Sequence, residues 1–211
     1  MKLPRIILAD DHALVAEALS KLLSPHFDVV TIVGDGQQLL EQAATLKPDV
    51  IVVDLSMPLL NGLDAARELK RRLPSVKLVY LTMNDDPELA IRAMTSGGSA
   101  YVLKRSAASE LIQAIRAALQ GKSFVTPQVA RGMEERFIRN PHARTRQNLL
   151  TPRQRQVLQL LAEGKSMKEA ADILKVTPRT IAFHKYQMMQ DLGLKTNADL
   201  VQFAIKNRLV A

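Results

Sequence analysis

The run Val50-Ile-Val-Val-Asp54, followed by Leu55-Ser56-Met57-Pro58, limits most strongly what this chain can fold into. Four apolar, mostly β-branched residues without alternation read as a strand buried on both faces, as in a parallel sheet. Such sheets gather ligands at the carboxyl ends of their strands, where Asp54 falls. Taken alone, Asp54 would serve equally well as a cap for the next turn. Its chemistry has to be argued from its neighbours.

The same pattern recurs along the first 122 residues. Arg5-Ile-Ile-Leu-Ala-Asp10 is an apolar run closed by Asp10 and Asp11. Ala13 to Leu23 has helical spacing, with Leu14, Ala18, Leu19 and Leu22 on one side, and Ser24-Pro25 stops it. Asp28 to Val33 is a second strand and Gln37 to Leu46 a second helix. Gly34-Asp35-Gly36 between them is a turn and only a fragment of a dinucleotide fingerprint. After the Val50 strand, a helix runs from about Leu63 to Arg72, stopped by Pro74. Lys77 to Leu81 ends at Thr82, a helix spans about Pro87 to Met94, and Ala100 to Leu103 ends at Lys104. Ala107 to Leu119 is the last helix. Strands alternating with helices predict a five-stranded doubly wound parallel sheet, flavodoxin-like in class, with right-handed crossovers that put every strand end on one rim.

That rim would carry Asp10, Asp11, Asp54, Thr82 and Lys104. Three uncompensated carboxylates repel one another and raise each other's pKa. A hard dication with oxygen ligands removes that cost, and Mg²⁺ needs only a few carboxylates plus a phosphate. A lysine and a hydroxyl nearby would hold the other phosphoryl oxygens. The set therefore predicts a phosphoryl site in which a carboxylate forms an aspartyl phosphate. A phosphatase built on an Asp nucleophile is the enzymatic alternative, but it calls for a second carboxylate two residues on, where this chain has Ser56.

Residues 3–122 resemble the receiver domain of two-component response regulators through Asp10-Asp11-His12, Asp54 with Met57-Pro58 and Asn61-Gly62, Leu81-Thr82 and Tyr101-Val-Leu-Lys104. The resemblance implies that Asp54 accepts phosphate from a sensor histidine kinase. It implies that Asp10, Asp11 and Asp54 hold Mg²⁺ with the backbone carbonyl of Ser56. Thr82 would move onto the phosphate, Lys104 would pair with it, and Tyr101 would be the aromatic that swings inward. A half-buried strand tyrosine is the plainer alternative for Tyr101. His12 is read as structural.

Charge divides the chain. Residues 1–130 carry 14 Lys/Arg and 14 Asp/Glu, whereas residues 131–211 carry 15 Lys/Arg against 7 Asp/Glu, so the whole net charge of +8 lies in the C-terminal part. Such asymmetry points to nucleic acid or another anionic surface as a partner there. The absence of cysteine excludes disulfides and thiol chemistry and suits a reducing cytosol. The N-terminal apolar run is too short for a signal peptide, and no stretch approaches the ~18 apolar residues of a membrane span. A cytoplasmic protein without membrane contact is expected.

Periodicity weakens between residues 123 and 147, which read as a linker with a short helix from Thr126-Pro127 to about Ile138 and a polar, basic segment His142–Asn148. Residues 148–211 then read as four short helices. Thr151, Ser166 and Thr177 are cap residues, Gly164 and Gly193 are stops, and Thr196 or Asn197 starts the last helix. Val157, Leu158, Leu160 and Leu161 would face inward, as would Ala170, Ala171, Ile173 and Leu174, and Leu200, Val201, Ala204 and Ile205. A basic four-helix unit fits a helix-turn-helix DNA binder, or on pattern alone a bundle that contacts protein.

Residues 149–209 resemble the LuxR-type helix-turn-helix through Leu150-Thr-Pro-Arg153, Leu160-Leu-Ala-Glu-Gly164, Lys168-Glu-Ala-Ala171, Thr177-Pro-Arg-Thr-Ile181, His184 and Leu192-Gly-Leu194. With a receiver in front, the arrangement is similar to that of NarL/FixJ regulators. The helix from Thr177 to about Leu192 would be the recognition helix in the major groove of double-stranded DNA. Ile181, His184, Met188 and Leu192 would face the core, while Thr180, Ala182, Phe183, Lys185 and Tyr186 would meet DNA. Arg153, Lys165, Lys168, Arg179 and Lys185 would contact phosphates. Ala182, Phe183 and Tyr186 replace polar or basic readers, which suits thymine methyl contacts better than Arg–guanine pairing. Gln154 replaces the usual acidic residue. The expected protein is thus a transcriptional response regulator, not an enzyme, whose phosphorylation frees the basic domain or pairs two receivers into a homodimer. The alternative is a phosphate-independent DNA binder whose receiver only dimerises.

Overall fold

A computed structural model describes residues 2–106, 108–139, 150–207 and 209–210. The polar segment 142–148, expected as a linker, lies outside the described residues. The chain divides into two compact units, one built from the N-terminal α/β elements and one from the C-terminal helices.

In the first unit the strands are β1 (Arg5–Ala9), β2 (Asp28–Val33), β3 (Val50–Asp54), β4 (Lys77–Thr82), β5 (Ala100–Leu103) and β6 (Phe124–Val125). They form one parallel sheet in the order β2-β1-β3-β4-β5-β6. The helices between them are α1 (Ala13–Leu23), α2 (Gly36–Leu46), α3 (Gly62–Arg72), α4 (Pro87–Thr95) and α5 (Ala108–Leu119). The doubly wound sheet agrees with the sequence, but it has six strands rather than five. The extra strand extends the order beyond β5 through Phe124 N–H to Ser99 C=O at 3.2 Å and Thr126 N–H to Tyr101 C=O at 3.0 Å. Two residues are too few to show a period, so no sequence pattern announces it. Beyond it, α6 (Pro127–Arg139) packs on α4, and Arg136 pairs with Glu88 at 3.0 Å.

β3 sits inside the sheet with all five residues buried, which is why its run lacks alternation. Side-chain period two divides the central strands. Ile6, Leu8, Val50, Val52, Val79, Leu81, Ala100 and Val102 share a core cluster with Leu111, Ala114, Ile115 and Ala118 of α5. α1 meets the same cluster through Ala16 and Leu23. Leu14, expected on its inner side, is instead 84% exposed, and Ala18 is exposed too. The helix docks through positions 16 and 23, so an apolar helical stripe chosen by residue type alone misidentifies the face that docks.

In the second unit α7 (Pro152–Ala162), α8 (Met167–Leu174), α9 (Pro178–Leu192) and α10 (Asn197–Lys206) enclose their own core of Val157, Leu158, Leu160, Ala170, Ala171, Leu174, Ile181, Met188, Leu200 and Ala204. Thr151, Ser166 and Thr196 cap their helices by reciprocal capping boxes, with Gln154, Glu169 and Asp199 at the third position. Gln154, which stands where an acidic residue was expected, thus performs the same capping task. Ile205 is 51% exposed rather than inward, and Phe203 packs on the core in its place.

One glycine fixes how α3 leaves the β3 turn. A Cβ on Gly62 would lie 1.9 Å from the carbonyl oxygen of Asp54, and the Gly62 N–H bonds the Leu55 C=O at 3.0 Å. The obstacle is backbone, which cannot rotate away, and the hydrogen bond holds the glycine against it. Gly62→Ala is expected to lower receiver stability by at least about 2–3 kcal/mol, measured by urea unfolding of the full chain. An unchanged midpoint would show that the turn can open freely.

Candidate functional site

The parallel register brings β1 and β3 level, with Ala9 opposite Val53, so Asp10 and Asp54 emerge side by side. β4 and β5 are level at Thr82 and Leu103, which places Lys104 one residue beyond. Asp10, Asp54 and Thr82 are all buried. The Lys104 side chain, 11% exposed, reaches across with its Nζ 2.7 Å from Asp10 Oδ2 and 2.8 Å from Asp54 Oδ2. Asp54 Oδ1 accepts the Ser56 N–H at 3.2 Å, and Asp10 Oδ1 accepts the His12 N–H at 2.9 Å. Asp11 is exposed at the rim, its Oδ1 2.8 Å from His12 Nδ1.

The electrostatics describe a site held short of neutrality. Burial pushes the Asp54 carboxyl above its ordinary pKa; the Lys104 hydrogen bond and charge and the Ser56 N–H pull it back only in part, and Asp10 raises it again. Burial pulls Lys104 down, but hydrogen bonds and charge from Asp10 and Asp54 hold it above its ordinary value. A second cation would relieve both effects. The donor set suits a divalent ion, because ligand atoms of Asp10, Asp11, His12 and Asp54 lie within 4.8 Å of one another. Asp10 Oδ2 is buried and is paired with the Lys104 ammonium at 2.7 Å.

Thr82 and Tyr101 are joined through a residue that sequence reasoning missed. Thr82 Oγ1 accepts the Asn84 N–H at 3.1 Å, and the Tyr101 hydroxyl donates to the Asn84 C=O at 2.7 Å. Asn84 Oδ1 in turn accepts the Asp86 N–H at 2.9 Å, next to the Asp86 cap of α4. The Tyr101 ring is fully buried, so the aromatic already lies inward. A lone Asn after Leu-Thr-Met carries no pattern of its own, and only the turn geometry reveals it.

On the C-terminal unit, α9 presents Phe183 and Tyr186, 63% and 61% exposed, with Lys185 Nζ 5.5 Å from the Tyr186 ring centroid. Ala182 and Lys185 are half-buried, and Arg179 and Lys168 are exposed. Ile181 and Met188 face the core, while His184 is half-buried with its ring edge-on to Phe183 at 5.6 Å. Thr180 Oγ1 lies 2.9 Å from the capping Thr177 Oγ1. Lys165 is half-buried. Arg153, expected among the phosphate contacts, instead spends its guanidinium on the Leu174 C=O at 2.9 Å and Gln156 Oε1 at 3.1 Å, tying α7 to the end of α8.

Residues 6–116 match the family described as "Response regulator receiver domain", and residues 148–204 match "Bacterial regulatory proteins, luxR family". The chain is 33% identical to the oxygen regulatory protein NreC of Staphylococcus aureus (strain JH9), over 98% of this chain and 99% of that protein. Among solved structures it resembles the RcsB response regulator of Salmonella typhimurium, with 29% identity, a TM-score of 0.64, and coverage of 96% of this chain and 97% of the other. It also resembles RcsB in a structure of two dimers bound to two parallel DNAs, at 29% identity and a TM-score of 0.61, covering 96% of this chain and 98% of that one. The chain belongs to the NarL/FixJ-type response regulators, two-component proteins that act on DNA to regulate transcription. Among the described residues no helix is long and apolar enough to cross a membrane.

The buried charges make opposite predictions for two substitutions. The folded protein holds the Asp54 proton more tightly than the unfolded chain does, so the stability this group contributes is full below its ordinary pKa of 3.8 and is lost as pH rises through the higher folded value. In metal-free buffer Asp54→Asn is expected to raise Tm at pH 7, with the gain fading below about pH 4. Lys104→Ala removes the cation shared by two buried carboxylates and is expected to cost about 3–5 kcal/mol at pH 7. Thermal melts across pH check both; a destabilised Asp54→Asn at neutral pH would contradict the account.

Proposed function

We propose that Asp54 accepts a phosphoryl group from a sensor histidine kinase, and that this modification controls homodimerisation and binding to operator DNA. The observation that carries the reading is the Lys104 ammonium, held 2.7 and 2.8 Å from Asp10 and Asp54 in a nearly closed crevice at the strand ends. An Asp54 carboxylate oxygen attacks phosphorus, the phosphorus–nitrogen bond to the kinase imidazole breaks, and the imidazole leaves with the electron pair. Asp10, Asp11 and Asp54, with the backbone carbonyl of Ser56, would hold Mg²⁺, which neutralises charge on the phosphoryl oxygens. Lys104 transfers its ammonium from the Asp54 carboxylate to a phosphoryl oxygen.

Thr82 then exchanges the Asn84 N–H for the phosphate. Because Asn84 also accepts the Tyr101 hydroxyl, the exchange disturbs the turn that leads into α4. That turn is the two-state element through which a local charge would alter the receiver surface. Ser56, two residues after Asp54, supplies no carboxylate to protonate a leaving group, which supports a regulator that modifies only itself over an enzyme acting on other substrates. The cytoplasm, where DNA and kinase domains meet, is its place of action.

In the second unit α9 enters the major groove, with Thr180, Ala182, Phe183, Lys185 and Tyr186 toward bases and backbone. Arg179, Lys168 and Lys165 approach phosphates. Arg153 is better placed as a strut between α7 and α8 than as a phosphate contact.

The test uses an operator recovered by selection from a random duplex pool. Phosphodonor treatment with Mg²⁺ is expected to dimerise the wild-type chain and tighten operator binding, whereas Asp54→Asn shows neither response. Arg179→Ala is expected to weaken binding to all sequences alike and to reduce the salt slope by about one. A normal response from Asp54→Asn, or a flat salt dependence, would overturn the reading.

A further inference from the structure

The face that α9 turns to solvent differs in chemistry from the basic unit that carries it. Arg179, Phe183, Tyr186 and Gln190 are exposed, and their spacing of four, three and four residues sets them in one ridge along the helix. Phe183 and Tyr186, 63% and 61% exposed, form the middle of that ridge. Two large rings left in water beside each other mark a contact surface.

The polar side chains around them are engaged locally. Thr180 Oγ1 lies 2.9 Å from Thr177 Oγ1, and the Gln187 amide donates to Asp191 Oδ1 at 2.9 Å. Lys185 stands over the Tyr186 ring, its Nζ 5.5 Å from the centroid, and the His184 ring meets Phe183 edge-on at 5.6 Å. These contacts brace both rings. A helix rises about 1.5 Å per residue, so rings three residues apart are offset by about 4.5 Å along its axis, comparable with the roughly 3.4 Å between neighbouring bases of a strand. In the major groove the apolar group on a base edge is the C5 methyl of thymine. Two braced rings at this offset match two such methyls and offer guanine no bidentate fork.

Resting on the reading of α9 as the recognition helix, we propose that Phe183 and Tyr186 set operator specificity by packing on the C5 methyl groups of two neighbouring pyrimidines in each half-site. The pair reads the methyl group and not the hydrogen-bonding edge of the base. A 5-methylcytosine paired with guanine therefore replaces thymine better than unmodified cytosine does. Arg179, at the first turn of the same ridge, supplies a hold on phosphate that carries no sequence information.

The test uses the full chain with phosphodonor and Mg²⁺ on the operator selected from the random duplex pool. Each thymine is replaced in turn by deoxyuridine, which removes the methyl and keeps the hydrogen-bonding groups of the base. Replacement at two neighbouring positions per half-site is expected to weaken binding about fourfold each, the effect of one buried methyl. At those positions 5-methylcytosine should bind about fourfold more tightly than cytosine. Phe183→Ala and Tyr186→Ala should each lose the penalty at one position, Tyr186→Phe should keep it, and Arg179→Ala should weaken every duplex alike while keeping both penalties. Both aromatics are exposed, so the variants are expected to melt at the wild-type temperature. Binding indifferent to deoxyuridine, or penalties that survive in Phe183→Ala and Tyr186→Ala, would overturn the assignment while leaving α9 a DNA reader. A wild-type chain that binds no duplex would overturn the DNA reading, and the assignment with it.

Discussion

Everything at the strand-end rim depends on one cation between two buried carboxylates. Lys104 stands within 2.8 Å of both Asp10 and Asp54, and none of the three has ready access to water. Such an arrangement is costly in desolvation and holds only while the geometry is close. It also stores a preference. Burial, and to a lesser degree Asp10, hold Asp54 above its ordinary pKa despite Lys104, so a further cation beside it would be favourable. In the proposed reading, a phosphoryl group accompanied by a dication would supply it.

The sheet supplies the precision. Level pairing of β1 with β3 and of β4 with β5 fixes the four strand ends without help from loops. The strand order places β1 beside β3 where successive connections diverge, which is where doubly wound sheets open a crevice. One connection out of that crevice runs through Asn84. Its N–H serves Thr82 and its carbonyl serves Tyr101, so the two residues cannot be rearranged independently. This is a coupling by shared hydrogen bonds, a physical link rather than mere proximity.

The sheet and the rim were largely legible in the sequence because both are written in local pattern. A run of apolar residues closed by a polar one states strand, burial and strand-end position together, as Val50–Asp54 and Lys77–Thr82 do. The helix caps were legible for the same reason, since Thr151, Ser166 and Thr177 act within three residues of themselves. What failed depends on long-range docking. Leu14 lies outside because α1 meets the sheet through residues 16 and 23, and Ile205 yields its place to Phe203. β6 is two residues that become a strand only because β5 offers an open edge. Arg153 reads in sequence as a surface cation, whereas the Leu174 carbonyl holds it, and the His12 ring lies against Asp11.

The central claim is that Asp54 alone takes the phosphoryl group in a site completed by a dication. The direct measurement is intact-mass and peptide mass spectrometry after treatment with a small-molecule phosphodonor, with Mg²⁺ and with chelator. The account predicts one acid-labile phosphoryl adduct on Asp54, dependent on the ion and absent from Asp54→Asn. An adduct on another residue, or one that forms equally well in chelator, would contradict it.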